Sequence, residues 1–531
     1  MHRRAFHVAR QPAGLLALLL ALASLQLQVD AVTKTEADDA QVLRLWKQGF
    51  LASKTLQPFL DTWVLSRPCT SKWWGVGCSL VDGQQRVTAI DLDLFNLNPG
   101  PEIVLLETGI PGILADLPLK SFQIRGKIVW VGDQGIRTCR IKGALPGAFA
   151  KKSTALIKLV VRGCHMEVGL PAHTQLPPNL EYLDMSSDEL TGGLLPGWAN
   201  LKQLKYVNLN HTSIKGPLMQ AKWMPPSIEY YDVSYNQLTG GVPDWSSLTK
   251  LRRLEMSANN LEGSLPMVLP PNLEELFILY NRLSGSLPGW AASQGLKTIY
   301  LAVNQLTGSL PDYTPLKSLT GLGLDNNRLS GQLSGLFPTS IKWLGLYNNG
   351  FTGSVPDLSH LPSLTSIALY DNQISVAPEA AFLPPSLQSL SLSRNKMKGP
   401  MPDYSSHPNL QELSFSENLL DGSLPDVTLL PSSLVHLDLR MNKFSGLLPG
   451  GWAVLKKLET VTLEYNKGLI GSIPKQWGNG GAMSSIYRIV LKPGTGLCGP
   501  IPKHLEHHVY KYDPATQYYT ELPGLGRCPT I

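Results

Sequence analysis

Between residues 236 and 466 of this 531-residue chain an asparagine returns at a spacing that hardly varies. It stands at Asn236, Asn259, Asn281, Asn304, Asn327, Asn349, Asn372, Asn395, Asn418, Asn442 and Asn466, with successive gaps of 22 to 24 residues. Units this short cannot bury an apolar face alone, so they must stack into a solenoid. With each Asn as position zero, apolar residues fall at −8, −5 and −3, as in Leu296, Ile299 and Leu301 before Asn304. The −5 and −3 pair has the two-residue period of a strand, and one short strand per unit is expected to turn those side chains inward. After the Asn come an apolar residue at +2, Gly at +4 and Pro near +7, as in Leu306, Gly308 and Pro311. The Gly permits a sharp turn, and the Pro ends the segment because it has no N–H to give a ladder.

Strands so placed should form one long parallel sheet at about 4.8 Å per rung. Position zero then faces the inside of the bend, where an amide can satisfy backbone groups of its own turn and of its neighbour. A buried amide left unpaired would cost about 1–3 kcal/mol, so the asparagines are read as structural and are given no ligand role. Weaker units extend the array. Asp188 and Thr212 replace Asn, Cys164 and Cys139 do so earlier, and Gly494 does so last, for about 16 repeats including one or two degenerate ones between Val87 and Val131.

The repeat Leu-x-x-Leu-x-Leu-x-x-Asn-x-Leu-x-Gly-x-Leu-Pro resembles the plant-type leucine-rich repeat of receptor-like ectodomains and polygalacturonase-inhibiting proteins, over roughly residues 87 to 502. Asp39, Leu43, Trp46, Lys47 and Trp63, then Cys69 and the run Trp74-Gly75-Val76-Gly77-Cys78, resemble the helical cap of that family with its disulfide. Gly496-Leu497-Cys498-Gly499-Pro500-Ile501-Pro502, with Cys528 beyond, resembles the closing cap. In several repeats, as at Gly263 to Pro266, Leu precedes the Pro where many land-plant members carry Ile. The resemblance implies an α/β horseshoe, a right-handed leucine-rich repeat solenoid with a parallel concave β-sheet, a helical N-terminal cap and an irregular convex side. The domains expected are a signal peptide at 1–31, an N-terminal cap at 32–86, the solenoid at 87–502 and a C-terminal cap at 503–531.

The leader is read from Arg3, Arg4 and Arg10, the Leu/Ala run from Leu15 to Leu25 and the small residues Val29 and Ala31, which together form an export signal. That run is too short to span a bilayer, and no later stretch is long and apolar enough to do so. Six cysteines fit an exported chain. Sequence proximity and the need to close both open ends of the core favour Cys69 with Cys78 and Cys498 with Cys528. Cys139 and Cys164 share position zero in what read as consecutive repeats, which puts their backbones about one rung apart; a disulfide and a pair of buried thiols both fit.

Recognition is expected on the −6, −4 and −2 positions, which alternate with the buried ones. Tyr182, Tyr206 and Tyr230 occupy −6 in three successive repeats, Phe277 and Tyr300 share −4, and Tyr347 and Tyr370 share −2. Trp343 lies at −6 beside Gly321, Gly323, Gly345, Ser366 and Ala368, which suggests a shallow groove with aromatic walls. Such rings bring large contact area at low entropy cost, but same-face aromatics on neighbouring strands also stabilise a sheet without any ligand. Asp232, Glu255 and Glu275 make the face poor for nucleic acid and suit a ligand with basic groups or many hydroxyls. The net charge of only +6 points the same way.

Trp198, Trp245, Trp290 and Trp452 follow the Pro of their turns and are read as convex-side packing; His504, His507 and His508 lack the companions of a metal set. Asn210-His211-Thr212 is the one glycosylation sequon, and a glycan on Asn210 would obstruct part of the face. With no phosphate loop, nucleophile elbow or zinc signature, no metal, cofactor or catalysis is expected. The sequence therefore reads as a secreted recognition protein for an extracellular protein, peptide or polysaccharide, in the extracellular space or cell wall, with a membrane co-receptor as a candidate partner. An inhibitor of wall-degrading hydrolases and a wall structural or scaffold protein are the alternatives.

Overall fold

The computed structural model describes residues 36–47, 68–69, 75–82, 84–93, 104–106, 114, 116–125, 128–131, 134–137, 139–141, 145, 147–478, 483–515, 518–526 and 528. The expected leader at 1–31, Trp63 and Trp74 lie outside them.

One 20-stranded sheet runs the length of the protein. Its parallel rungs begin with Gln84–Asp93, Ser121–Arg125, Lys158–Arg162 and Tyr182–Asp184, and continue one strand per repeat to Arg488–Lys492 and Val509–Asp513. Residues at equal repeat positions face each other: Tyr206 pairs with Tyr182 on one side and Tyr230 on the other. Both extremities reverse direction. Val76–Val81 is antiparallel to the first rung, and Tyr518–Glu521 is antiparallel to the last.

The expected inward residues form the core. Leu296, Ile299, Leu301 and Leu306 are all fully buried, and one apolar cluster runs from Ala40 in the first helix to Leu525. Position zero behaves as the amide argument requires. The Asn304 amide donates to the carbonyls of Ile278 (2.7 Å) in the preceding turn and Leu301 (3.1 Å) in its own, while its oxygen accepts from Leu283 N–H (3.0 Å). The same pattern recurs at Asn395 and Asn418. Asp188 keeps only the accepting half, from Cys164 N–H (2.8 Å) and Met166 N–H (3.1 Å), since a carboxylate has nothing to donate.

The side away from the sheet is more regular than expected. Short parallel ladders such as Lys215–Pro217, Gln237–Gly240, Asn260–Ser264 and Arg282–Ser284 follow position zero, and 3₁₀ turns such as Trp198–Asn200 and Gly450–Val454 complete the circuit. The tryptophans pack there as read from the sequence. Trp245, Trp290 and Trp452 are buried and donate to the carbonyls of Met219 (2.8 Å), Pro266 (2.9 Å) and Pro425 (2.9 Å), and Trp477, which sequence reasoning passed over, donates to Pro449 (2.9 Å).

The first turns depart from the expected period. The main-sheet strand preceding Cys139 is Ser121–Arg125, and the hairpin of Ile128–Val131 with Gln134–Arg137 is inserted between them. Cys139 nevertheless reaches Cys164, and Ile141 N–H donates to the Cys164 carbonyl (2.9 Å), so the two turns rejoin. Cys139 and Cys164 are disulfide-bonded, as are Cys69 with Cys78 and Cys498 with Cys528. The helix Glu36–Lys47 closes the N-terminal end: Leu43 and Trp46 are buried, and Asp39 forms a buried two-pronged ion pair with Arg86 (2.7 and 2.9 Å) while accepting from Val87 N–H (2.8 Å).

Candidate recognition face

Each rung contributes its −6 and −4 side chains to the exposed face and its −5 side chain to the core, as in Thr298, Ile299 and Tyr300. Parallel pairing in register then lines up equal positions one rung apart, which is the separation at which two rings stack. Tyr182 and Tyr206 stack with centroids 4.0 Å apart, and Tyr206 and Tyr230 with centroids 4.2 Å apart. Lys158 caps the stack, with its ammonium 4.8 Å from the Tyr182 ring centre. At the other end Arg253 sits 5.8 Å from Tyr230 and 5.0 Å from Phe277, held in place by ion pairs to Glu255 and Glu275. Phe277 packs on Tyr300 (5.4 Å), and Tyr300 on Trp343 (4.9 Å). The tyrosine trio, the Phe277–Tyr300 pair and Trp343, read separately from the sequence, are therefore one continuous stack, and Arg253, which sequence reasoning did not single out, joins the first two.

The expected groove is occupied. A methyl carbon placed on Gly321 would lie 2.4 Å from the Trp343 ring nitrogen, and one on Gly323 would lie 2.7 Å from the Tyr300 ring and 3.3 Å from Trp343. The glycines leave room for the indole to lie across the rungs before its own, so the patch is an aromatic platform on a glycine floor and not an open groove between walls. Beside it, Tyr347 and Tyr370 stack at 4.2 Å. Asp325, 8% exposed, lies against this group. Its carboxylate accepts from the Asn326 amide (2.8 Å), adds to the upward shift of the Tyr347 hydroxyl, and has an oxygen 3.6 Å from where a Gly345 side chain would begin.

Burial of the tyrosine rings, reinforced by neighbouring carboxylates, sets the protonation state of the face. Tyr206 is pushed up to about 12 chiefly by desolvation, and Tyr182, Tyr230 and Tyr347 are raised for the same first reason. All remain neutral hydroxyls at any physiological pH. Glu255 is also raised by burial, with Asp232 adding to the effect.

Asn210 lies on the same face, half-buried, and donates to Asp232 (2.8 Å). Its neighbour His211 stacks on Tyr235 at 4.0 Å. A second feature was not foreseen. Toward the C-terminal end a polar pocket of about 400 Å³ lies among Ser414, His436, Asp438, Thr462, Arg488 and Tyr519. Tyr519 comes from the closing hairpin, with Arg440 donating to its hydroxyl (3.4 Å) and Arg488 5.2 Å from its ring centre. Only the pairing of Val509–Asp513 with the last rung brings that hairpin here, and the cap carries no repeat signal to announce it. Of the three tail histidines, His507 faces Glu521 (3.5 Å) and His508 its neighbour's backbone, with no metal set formed by them.

With the architecture and face described, comparison with known proteins gives its class. The leucine-rich repeat family model matches residues 433–455. No curated protein matches the chain. Among solved structures, the plant peptide hormone receptor RGFR1 in complex with RGF2 is 22% identical, with 82% of this chain and 85% of that one covered at a TM-score of 0.50. A TDR receptor is 22% identical, with 75% and 82% covered at 0.50. The LRR protein LIC12759 of Leptospira interrogans is 25% identical, with 69% and 89% covered at 0.51. The fold is thus the leucine-rich repeat horseshoe, and the aromatic stack lies on its sheet face. The repeat sequence resembles the plant-type leucine-rich repeat, and the fold agrees with it. No helix among the described residues is long and apolar enough to cross a membrane.

Proposed function

We propose that this is an exported, non-catalytic recognition protein that binds an extracellular ligand on the aromatic face of its sheet, with a peptide or the extended segment of a protein favoured over a polysaccharide. The observation that carries the reading is the stack from Lys158 through Trp343, in which half-buried rings are fixed in advance by their neighbours across successive rungs. Rings already immobilised lose little entropy on binding, so their contact area converts efficiently into affinity. The horseshoe shared with a peptide hormone receptor ectodomain supports a long ligand laid along the rungs. A membrane co-receptor is a candidate partner.

The mutual stacking also favours a second reading, in which the rings stabilise the sheet by about 0.2–1 kcal/mol per pair and the protein is a scaffold without a discrete ligand. The test compares wild type with a Trp343, Tyr347 and Tyr370 to Ala variant of unchanged melting temperature. Both are offered extracellular peptides, soluble wall polysaccharides and wall-degrading hydrolases. Recognition predicts ligand capture by wild type and its loss in the variant. Equal capture by both removes this face from the site, and a captured hydrolase that loses its activity turns the reading toward an inhibitor.

A further inference from the structure

Asp325, like Asp232 and Glu464, is a buried carboxylate of the sheet face without an ion pair among the described residues, and it is the one that lies beside the Trp343 platform. Glu255 and Glu275 share Arg253, Asp438 and Glu417 lie against Arg440, and Asp371 lies 3.5 Å from Arg394. Asp325 is nine-tenths buried and forms no ion pair with any described residue; its hydrogen-bond partner is the Asn326 amide (2.8 Å). Burial of a carboxylate without a cation is expensive, and one neutral donor offsets only part of that cost. Asp325 and Trp343 meet over Gly345, where a methyl carbon would lie 3.6 Å from the carboxylate oxygen and 3.5 Å from the indole, and the faces of such rings carry negative electrostatic potential of their own. Arg394, on the same face, is engaged by Asp371 (3.5 Å) and by Glu417 (3.1 Å).

We propose that Asp325, Trp343 and Tyr347 form a subsite for the guanidinium of an arginine side chain in a bound peptide. The inference rests on the recognition reading above and adds what is recognised. The guanidinium plane stacks on the exposed ring surface of the platform. Its N–H groups donate to the Tyr347 oxygen, and the buried carboxylate supplies the opposing charge. An arginine suits the site better than a lysine, since a planar, weakly hydrated cation loses less on leaving water and can stack while it donates.

The experiment uses the whole protein. Wild type, Asp325→Asn and Tyr347→Phe, each checked for an unchanged melting temperature, select binders from a random displayed peptide library. The best wild-type peptide is then remade with citrulline, the neutral isostere, in place of its arginine. Arginine should be enriched only in the wild-type selection, and citrulline, Asp325→Asn or Tyr347→Phe should each weaken binding of the chosen peptide about tenfold or more. Peptides selected without arginine enrichment, or bound equally with citrulline, overturn the subsite while leaving peptide recognition standing. Failure of wild type to select any peptide overturns both.

Discussion

At the scale of single residues, the structure identifies positions where the chain works against itself. Glu464 is 1% exposed, and neither of its carboxylate oxygens meets a hydrogen-bonding partner outside its own residue. Burial, with Asp438 adding and Arg440 opposing, lifts its pKa to about 7. Because the folded value lies above the unfolded one, the folded state holds this proton more tightly. The contribution is intact below about pH 4.5 and is lost as pH rises toward 7, by roughly 3 kcal/mol in all. Glu464→Gln should therefore melt above wild type at pH 8 and together with it at pH 4, as read by thermal denaturation. A second strain lies at position −1, where every repeat from Ser187 to Tyr465 holds a positive φ. Val303, at φ 55, is the β-branched member of the series, whereas Asn326 and Asn348 carry a side chain that tolerates this conformation. Val303→Asn should raise stability by about 0.5–1 kcal/mol in denaturant titration.

At the scale of the element, glycine and tryptophan form a matched pair across rungs. Gly321→Val puts a branched side chain where the Trp343 indole lies and should cost about 1–3 kcal/mol. In a Trp343→Ala background the same substitution should be neutral or stabilising, since strands prefer Val to Gly; a double-mutant cycle of chemical denaturation reads the difference. This pair also marks where the sequence stopped being legible. Periodicity tells which side chains share a face, and from it the three tyrosines, the Phe277–Tyr300 pair and the Tyr347–Tyr370 pair were all placed on neighbouring rungs. Periodicity does not tell which rotamer a ring adopts, so the small residues beside Trp343 looked like an empty groove when they are the seat of its indole. Nor could it show Arg253 bridging two aromatic groups, because a charge on a strand ordinarily reads as a solvated side chain. Cys139 illustrates a different limit. Its position-zero role was legible from its distance to Cys164, but the inserted hairpin before it has strand-like composition of its own and passed for the rung.

At the scale of the whole molecule, stability is nearly one-dimensional: each turn touches only its neighbours, so the ends decide whether the array frays. At the N-terminal end the Asp39–Arg86 pair ties the capping helix to the first rung. Removing one partner of a buried pair leaves the other uncompensated, at about 3–5 kcal/mol. Asp39→Ala should therefore deprotect the amides of Gln84–Asp93 and Ser121–Arg125 in hydrogen exchange while those of Ser389–Ser391 and Glu412–Ser414 stay protected. Uniform loss along the sheet would show instead that the solenoid unfolds as one unit. The Asp39–Arg86 contact was not legible in advance, since it joins residues 47 positions apart that follow no repeat.

The reversal of chain direction at both extremities bears on how copies of this molecule meet. A stack of like turns that simply stopped would present, at its last edge, the same template on which each earlier turn was laid, and a second molecule could continue it head to tail into a fibre without end. The antiparallel strands 76–81 and 518–521 change the polarity of those edges. An incoming turn finds no seat for its asparagine and no continuation of the spiral. The molecule thereby keeps a finite length, and its sheet face keeps a fixed number of rungs.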